Sequence, residues 1–328
     1  MLMSCSFTVV AQKTTPLRFR DDGTFKIVQF TDLHYIHGDK RAQRALECIR
    51  TIAQVERPDL IVVTGDIIFD RPAAPCMNDV ARCLDSIGIP YCTVFGNHDA
   101  EYDLDHDALH RLLQTPNNIE PPHTEGEEYD YVLRVMGSRD DSTRAVFYFL
   151  DSHSHRWFGL IHGYAWLKKK QIKWYRALSD TFSRENGGEP VPSLMFFHIP
   201  IPEFAKAARK QRIPLVGSRC EPACVPPYNS GMFKAVKRQG DVMGIFCGHD
   251  HNNDYAVLWK DILLAYGRYS GGNTVYNDLP GNGARVILIR ERERKIETYI
   301  RLRDGSVYNQ LTVPDNMVKS DYKERDTE

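Results

Sequence analysis

Five short runs of β-forming residues each end at Asp, His or Asn, and this repeated arrangement is the strongest constraint on the fold. The clearest run covers residues 91–95, stops at Gly96 and is followed by Asn97, His98 and Asp99. β-branched and aromatic residues favour strands, and glycine ends them. The other four runs lead to Asp32 with His34, Asp66, His198, and His249 with His251. Five strand ends that carry these residue types indicate one metal-binding centre.

Helical patterns separate the first three of these runs. Apolar residues recur with the i, i+3, i+4, i+7 spacing of a helix over residues 41–57, and Pro58 ends that segment directly before the next strand. A second helix is predicted over residues 78–87, before Gly88. Strand–helix–strand units with short connections are typical of a parallel sheet covered by helices, whose ligands bind at the carboxyl ends of the strands.

The rest of the chain predicts further elements. Residues 129–135 and 145–150 alternate as the two strands of a hairpin, and antiparallel strands follow His251. Helices are predicted over residues 105–114, 168–183, 203–210 and 232–239. The long loops 115–128 and 212–231 are candidates for reading the substrate, because long loops near a site are often functional.

Composition excludes several classes of partner. The 328 residues include 42 basic and 43 acidic side chains, so bulk charge indicates no nucleic-acid or membrane partner. The sequence also lacks a run of 18 or more apolar residues, the length that a membrane span needs. We divide the chain into a possible signal or disordered segment (1–15), one main domain (16–303) and a charged tail (304–328).

The N-terminus and the cysteines bear on location. Residues 2–11 are apolar and end in Val9-Val10-Ala11, which resembles a signal-peptidase site and favours export to a periplasmic or extracellular space. The alternative is a frayed N-terminus of a cytoplasmic protein. Eight cysteines without a repeated Cys-x-x-Cys spacing argue against a structural zinc site and a disulfide framework. Buried thiols are predicted at Cys48, Cys92 and Cys247, while Cys220 and Cys224 could pair in an exported protein.

The polar blocks, taken in order, resemble the signature of a known family. Asp32-Leu33-His34, Gly65-Asp66, Gly96-Asn97-His98-Asp99, an isolated His198 and Gly248-His249-Asp250-His251 are similar to the motifs of the calcineurin-like metallophosphoesterase superfamily. The residues that flank these blocks resemble those of a purple-acid-phosphatase-related branch that lacks the tyrosine metal ligand. The resemblance implies one α/β domain, a four-layer sandwich of two mixed β-sheets flanked by helices.

The resemblance also implies a role for each residue. One metal ion would be bound by Asp32, His34, Asp66 and His251, and the other by Asp66, Asn97, His198 and His249, with Asp66 bridging. His98 would assist the phosphate or the leaving group, and Asp99 would orient His98. A metal-bridging hydroxide would attack phosphorus in line. Asp, Asn and His suit Mn, Fe and Zn alike, so the two ions are expected among these metals.

The favoured function is hydrolysis of a small phosphomonoester. Two alternatives remain open at this point, a phosphodiesterase with the same metals and a non-catalytic scaffold of the same fold. Arg268, between Gly267 and a glycine-rich turn, could contact a substrate phosphate or form a structural ion pair. Asp70 lies one residue later than the acidic residue that many family members carry after the bridging aspartate, so we do not count it as a ligand.

Overall fold

Two β-sheets packed face to face form the centre of the computed structural model, and helices cover the outer face of each sheet. The structure describes residues 16–123, 128–158, 161–210 and 214–317. The helices are α1 (Gln43–Glu56), α2 (Ala73–Asp85), α3 (His106–Leu113), α4 (Lys169–Glu185), α5 (Pro202–Ala208) and α6 (Met232–Gln239). The strands are β1 (Leu17–Arg18), β2 (Thr24–Thr31), β3 (Leu60–Thr64), β4 (Tyr91–Val94), β5 (Tyr131–Met136), β6 (Thr143–Phe149), β7 (His155–Phe158), β8 (Ile161–Tyr164), β9 (Ser193–Phe196), β10 (Leu215–Val216), β11 (Val242–Cys247), β12 (Ala256–Trp259), β13 (Ile262–Tyr266), β14 (Arg268–Tyr269), β15 (Gly283–Arg290), β16 (Ile296–Leu302) and β17 (Val307–Val313).

Both sheets are mixed. The first has eight strands in the order β1-β5-β6-β9-β11-β13-β12-β10, and the second has seven, in the order β17-β16-β15-β2-β3-β4 with β14 paired to β2. In the first sheet β6, β9 and β11 are parallel neighbours, and in the second β2, β3 and β4 are. Five of these parallel strands, β2, β3, β4, β9 and β11, precede the predicted metal ligands.

The period of two along each strand divides the apolar side chains between separate cores. On β2, Ile27 enters the core between the two sheets, whereas its neighbour Val28 packs with α1 and α2 on the outer face. The other sheet repeats this pattern on β6, where Phe147 faces the inter-sheet core and Tyr148 faces α4. Strands buried on both faces have continuous apolar sequences, which is why these strands could be predicted from the sequence.

The predicted four-layer sandwich is confirmed. Helix α6 begins and ends where the pattern placed it, and α3 begins after Asp105, whose side chain accepts a hydrogen bond from the backbone N–H of Ala108. Helix α2 begins at Ala73, five residues before its predicted start, because Pro72 supplies an extended residue that opens a helix directly.

One prediction about the chain outside these helices is wrong, and one pair of strands was not predicted. Residues 307–313, assigned to the charged tail, form β17 and extend the second sheet beside β16. The hairpin of β7 and β8 was missed, since its strands have only four residues each. The predicted signal segment at residues 1–15 and residues 318–328 of the predicted tail lie outside the described residues. Among the helices that the structure does describe, none is long and apolar enough to cross a bilayer.

Cys48, Cys92 and Cys247 are buried free thiols, as predicted. Burial raises the pKa of each thiol above its usual value, which makes these cysteines poor nucleophiles. Cys220 and Cys224 are also free in the structure, and both lie on the segment between α5 and α6.

Candidate metal centre

The carboxyl ends of five parallel strands meet at one edge of the sandwich and present their polar side chains to each other. Strands β2, β3 and β4 supply the second sheet's share, and β9 and β11 supply the first sheet's. The donor residues that follow these strands are all at most 7% exposed: Asp32, His34, Asp66, Asn97, His198, His249 and His251. Burial of seven polar side chains in one place requires partners for them.

One group of possible ligands contains Asp32, His34, Asp66 and His251, and the candidate ligand atoms of these residues lie within 4.8 Å of one another. The Nε2 atoms of His34 and His251 are 3.0 Å apart. The His34 Nε2 atom is 3.6 Å from Asp66 Oδ2, and the His251 Nε2 atom is 3.6 Å from Asp32 Oδ1. Two imidazole nitrogens and two carboxylates that face one point form a donor set suited to Mn, Fe or Zn.

The second group contains Asp66, His198 and His249, again with the ligand atoms within 4.8 Å of one another. The Asp66 Oδ2 atom is 3.2 Å from His198 Nε2, so one carboxylate belongs to both groups. Three buried atoms at this side have no hydrogen-bond partner among the residues that the structure describes: Asn97 Oδ1, His198 Nε2 and His249 Nε2. Such atoms fit a site whose remaining partner is a metal ion.

Hydrogen bonds outside the donor set fix the orientation of the side chains. His198 donates from Nδ1 to the carbonyl of Thr64 at 2.7 Å, and His251 donates from Nδ1 to the carbonyl of Tyr276 at 2.9 Å. Each bond leaves Nε2 of the ring as the inward-facing nitrogen. The backbone N–H of His249 lies 3.1 Å from both carboxylate oxygens of Asp32 and thereby ties two strand ends together.

The backbone at the strand ends turns through the left-handed region. Asp32, His34, Asp66 and His249 have φ values of 53°, 42°, 50° and 81°. Gly96 is required for a different reason, since a Cβ there would lie 2.1 Å from Asp66 Oδ1 and 2.3 Å from the Asp66 nitrogen. The glycine therefore permits a close approach to Asp66 rather than a sharp turn.

Electrostatics favour a positive charge beside Asp66. Burial raises the pKa of Asp66, but the facing His198 and His34 outweigh it and hold that pKa well below its usual value. Burial lowers the pKa of His34 to about 3, and burial with the charge of His198 lowers that of His249 to about 3. Neutral imidazoles are the metal-binding form. Burial also opposes a charge on His198, yet the Asp66 carboxylate raises the pKa of His198 to about 10.

The predicted contact between Asp99 and His98 is wrong. Asp99 is fully buried and accepts hydrogen bonds from the backbone N–H groups of Ile67 at 2.7 Å and Gly96 at 2.7 Å. The carboxylate that meets His98 belongs to Glu101, with 2.6 Å between Oε2 and Nδ1. Asp99 therefore links the two loops that carry Asp66 and Asn97. Its carboxylate oxygens are occupied by these backbone N–H groups, so they do not bind His98.

Arg268 is likewise not a substrate contact in this structure. Its side chain is buried, and Nη1 forms an ion pair with Asp254 Oδ2 at 2.7 Å. The rest of the guanidinium donates to the carbonyls of Pro280 and Gly281. Of the two alternatives that the sequence left open, the structural ion pair is correct. The buried carboxylate binds the guanidinium, which is therefore not available to a substrate phosphate.

Several residues around the centre carry no motif, and the sequence did not single them out. The ring of Phe69 lies against both His34 and His98, with centroids 4.8 and 5.2 Å away. Tyr164 meets His249 edge to face at 4.4 Å, and Tyr276 stacks on His251 at 4.4 Å. Among these aromatic residues, only Phe69 could have been noticed in the sequence, because it lies three residues after Asp66. Asp70 is exposed, and its carboxylate accepts a hydrogen bond from the backbone N–H of Arg71.

A third group of possible ligands lies outside this donor set. Glu128, Asp151 and His153 have ligand atoms within 4.8 Å of one another. Lys168 and Lys170 already form ion pairs with Glu128 at 2.8 and 2.6 Å. Because these ammonium groups supply the positive charge, we assign this group to a structural network.

Comparisons with known proteins agree with the geometry. The model of the family "Calcineurin-like phosphoesterase" matches residues 25–253. The chain is 31% identical over 313 residues to "Probable inactive purple acid phosphatase 14" of Arabidopsis thaliana, covering 82% of this chain and 76% of that protein. It is 30% identical over 323 residues to "Phosphatase DCR2" of Saccharomyces cerevisiae, covering 87% of this chain and 55% of that protein. A solved "dimetal phosphatase" from Danio rerio has the same fold, with a TM-score of 0.62, 15% identity and coverage of 88% of this chain and 98% of that one.

Proposed function

This chain belongs to the calcineurin-like phosphoesterase family, and from that membership we propose that it hydrolyses a small phosphomonoester at a centre of two metal ions. Asp32, His34 and His251 would bind one ion, and Asn97, His198 and His249 the other. Asp66 would bind both. Two ions bound there would activate a water molecule and neutralise the charge on the phosphoryl oxygens.

The observation that carries the proposal is the shared position of Asp66 between two groups of inward-facing donor atoms. On one side, Asn97 Oδ1, His198 Nε2 and His249 Nε2 are buried without a hydrogen-bond partner in the described part of the chain. A buried polar atom without a partner costs about 1–3 kcal/mol, and ligation removes that cost. The donor set of carboxylate, amide and imidazole groups is the chemistry that such ions require.

His98 is the candidate proton donor. Its side chain is 32% exposed, so the ring can reach a substrate, and it stands outside both groups of ligands. Because a carboxylate only accepts, Nδ1 must donate to Glu101, which fixes the ring and leaves Nε2 for the phosphoryl or leaving-group oxygen. We propose that His98 donates a proton or a hydrogen bond there, which typically contributes a factor of about 100 to 10,000 in rate.

The test is a metal-dependence assay on the purified protein. After chelation, Mn, Fe or Zn is added back, and the hydrolysis of para-nitrophenyl phosphate and of its bis ester is measured. Bound metal is counted in parallel by mass spectrometry of the elements. We expect up to two ions per chain and faster hydrolysis of the monoester, while Asp66→Ala loses both metal and activity.

The matched control is Asp70→Ala, which removes an exposed carboxylate four residues from Asp66 and should retain both metal and activity. Activity that survives chelation or the Asp66 substitution would contradict the two-metal mechanism. Comparable rates on the two esters would instead identify a phosphodiesterase. A protein that binds two ions and hydrolyses neither ester would support the scaffold alternative. We include this outcome because the name of one relative contains the word "inactive".

A further inference from the structure

The hairpin of β7 and β8 stands beside the metal centre and is anchored to it at both ends. At its start, the hydroxyl of Ser154 donates to the carbonyl of Asn97 at 2.9 Å, directly before His98. At its end, the ring of Tyr164 meets the ring of His249 edge to face, with centroids 4.4 Å apart. The hairpin therefore lies directly beside two of the donor residues, Asn97 and His249.

The strand register divides the hairpin into two faces. His155 is paired with Tyr164, and their rings are 5.0 Å apart. Trp157 is two residues further along β7, so it lies on the same face as His155. Residues of one face are about 7 Å apart along a strand, so Tyr164, His155 and Trp157 form a row that leads away from the metal centre.

The other face of the hairpin is occupied by the protein itself. The guanidinium of Arg156 lies 5.1 Å from the ring of Trp166. At Gly163, a Cβ would meet two ring atoms of Pro227 at 3.3 Å, so the loop after α5 covers this position. The row that contains Tyr164 is therefore the face turned toward the metal side.

Trp157 at the end of that row is 70% exposed, more than any other large hydrophobic residue that the structure describes. Folded proteins tend to shield indole rings, and an exposed tryptophan beside a reactive centre is typical of a contact surface. Its neighbour in the row, His155, is exposed as well. His155 and Trp157 are thus two exposed aromatic side chains on the face that contains Tyr164.

The geometry points to this face as the binding site for the organic part of the substrate, and we infer that the part bound there is a planar aromatic group. The inference rests on the proposed phosphoesterase function, because it places the phosphate at the metal ions. Aromatic rings stack on Trp and His, and loss of one stacked ring commonly lowers affinity several-fold. Aryl phosphates and nucleoside monophosphates have this chemistry.

The experiment compares Trp157→Ala with Tyr308→Ala, which removes an exposed aromatic ring from β17, outside the hairpin. The KM of the metal-loaded enzyme is measured for 1-naphthyl phosphate and for ethyl phosphate. Binding of the non-hydrolysable analogues naphthylmethylphosphonate and methylphosphonate is measured by calorimetry. For Trp157→Ala we expect KM and Kd of the naphthyl compounds to rise about 5- to 20-fold, with changes under about 2-fold for the small compounds and for kcat.

Rescue separates stacking from folding, because Trp157→Phe should restore most of the affinity for the naphthyl compounds. Equal changes for the naphthyl and small compounds, or no change for either, would overturn the inference. Binding to phosphatidylcholine vesicles that depends on Trp157, with an unchanged KM ratio, would also overturn it and assign the hairpin to a lipid surface. Trp157-dependent binding of the naphthyl analogue by a protein that hydrolyses no ester would contradict the proposed function and support this inference.

Discussion

The pairing of His98 with Glu101 gives the sharpest prediction about catalysis. We expect Glu101→Gln to lower kcat about 10- to 100-fold, the usual effect of losing a residue that orients a functional histidine. Glutamine keeps an oxygen that can accept from Nδ1, but it loses the charge that shortens this bond to 2.6 Å. His98→Ala should cost more, about 100- to 10,000-fold, because it removes the proton donor itself.

The structure also predicts that the same substitution leaves stability nearly unchanged. The side chains of His98 and Glu101 are 32% and 40% exposed, and exposed pairs contribute about 0–1 kcal/mol. For a chain of 328 residues, the unfolding entropy near 60 °C is about 0.7 kcal/mol/K, so 1 kcal/mol moves Tm by about 1.5 °C. A large loss of turnover with a Tm shift below about 2 °C is the expected combination.

The assay measures kcat with para-nitrophenyl phosphate and with an alkyl phosphate, whose alkoxide leaves less readily without a proton. The defect of Glu101→Gln should be larger for the alkyl ester if His98 protonates the leaving group. Asp70→Asn removes the same charge from an exposed position nearby and should match the wild type. In the His98→Ala background, Glu101→Gln should have no further effect, since interacting residues are not additive. An additive loss would refute the orienting role.

Three further substitutions test the remaining roles. Gly96→Ala should lower metal affinity at least about 100-fold, because its Cβ would overlap Asp66, and isothermal calorimetry with Mn measures this. Asn97→Ala should lose one ion per chain, whereas His98→Ala should keep both ions and lose turnover, as elemental mass spectrometry and kinetics would show together. Arg268→Met should lower the free energy of unfolding by about 3–5 kcal/mol, since it leaves a buried carboxylate unpaired, without raising KM; a raised KM at normal stability would restore its role as a substrate contact.

The donor residues could be predicted because the fold of parallel strands places them by a simple rule. Residues that follow β2, β3, β4, β9 and β11 must meet at one edge, whatever the loops between them do. The apolar runs before Asp32, Asp66 and His198 therefore allowed the location of the site to be predicted. The ends of the helices followed equally local signals, such as Pro58 after α1.

The residues that surround the donor set could not be predicted from the order of the strands. Glu101 and Asp99 lie in the same irregular segment, and only the path of the backbone decides which carboxylate reaches His98. The carboxylate of Asp99 is captured by backbone N–H groups, which a sequence does not display. Trp157 belongs to a strand of four residues, too short for its alternation to be recognised. Leu311 and Val313 of β17 do alternate, but the polar residues Asn309, Gln310 and Thr312 hid the strand.

The conformation of the donor residues bears on whether the site binds metal ions. Asp32, His34, Asp66 and His249 all have left-handed φ, and such residues cost about 1–3 kcal/mol each, with Asp and His at the lower end. The packed sheets on both sides sustain this cost. A site that never binds an ion would gain nothing from four strained turns that aim buried nitrogens and carboxylates at one another. Ligation by two ions gives each of these turns a function, so the backbone argues for a metal centre independently of the side chains that it carries.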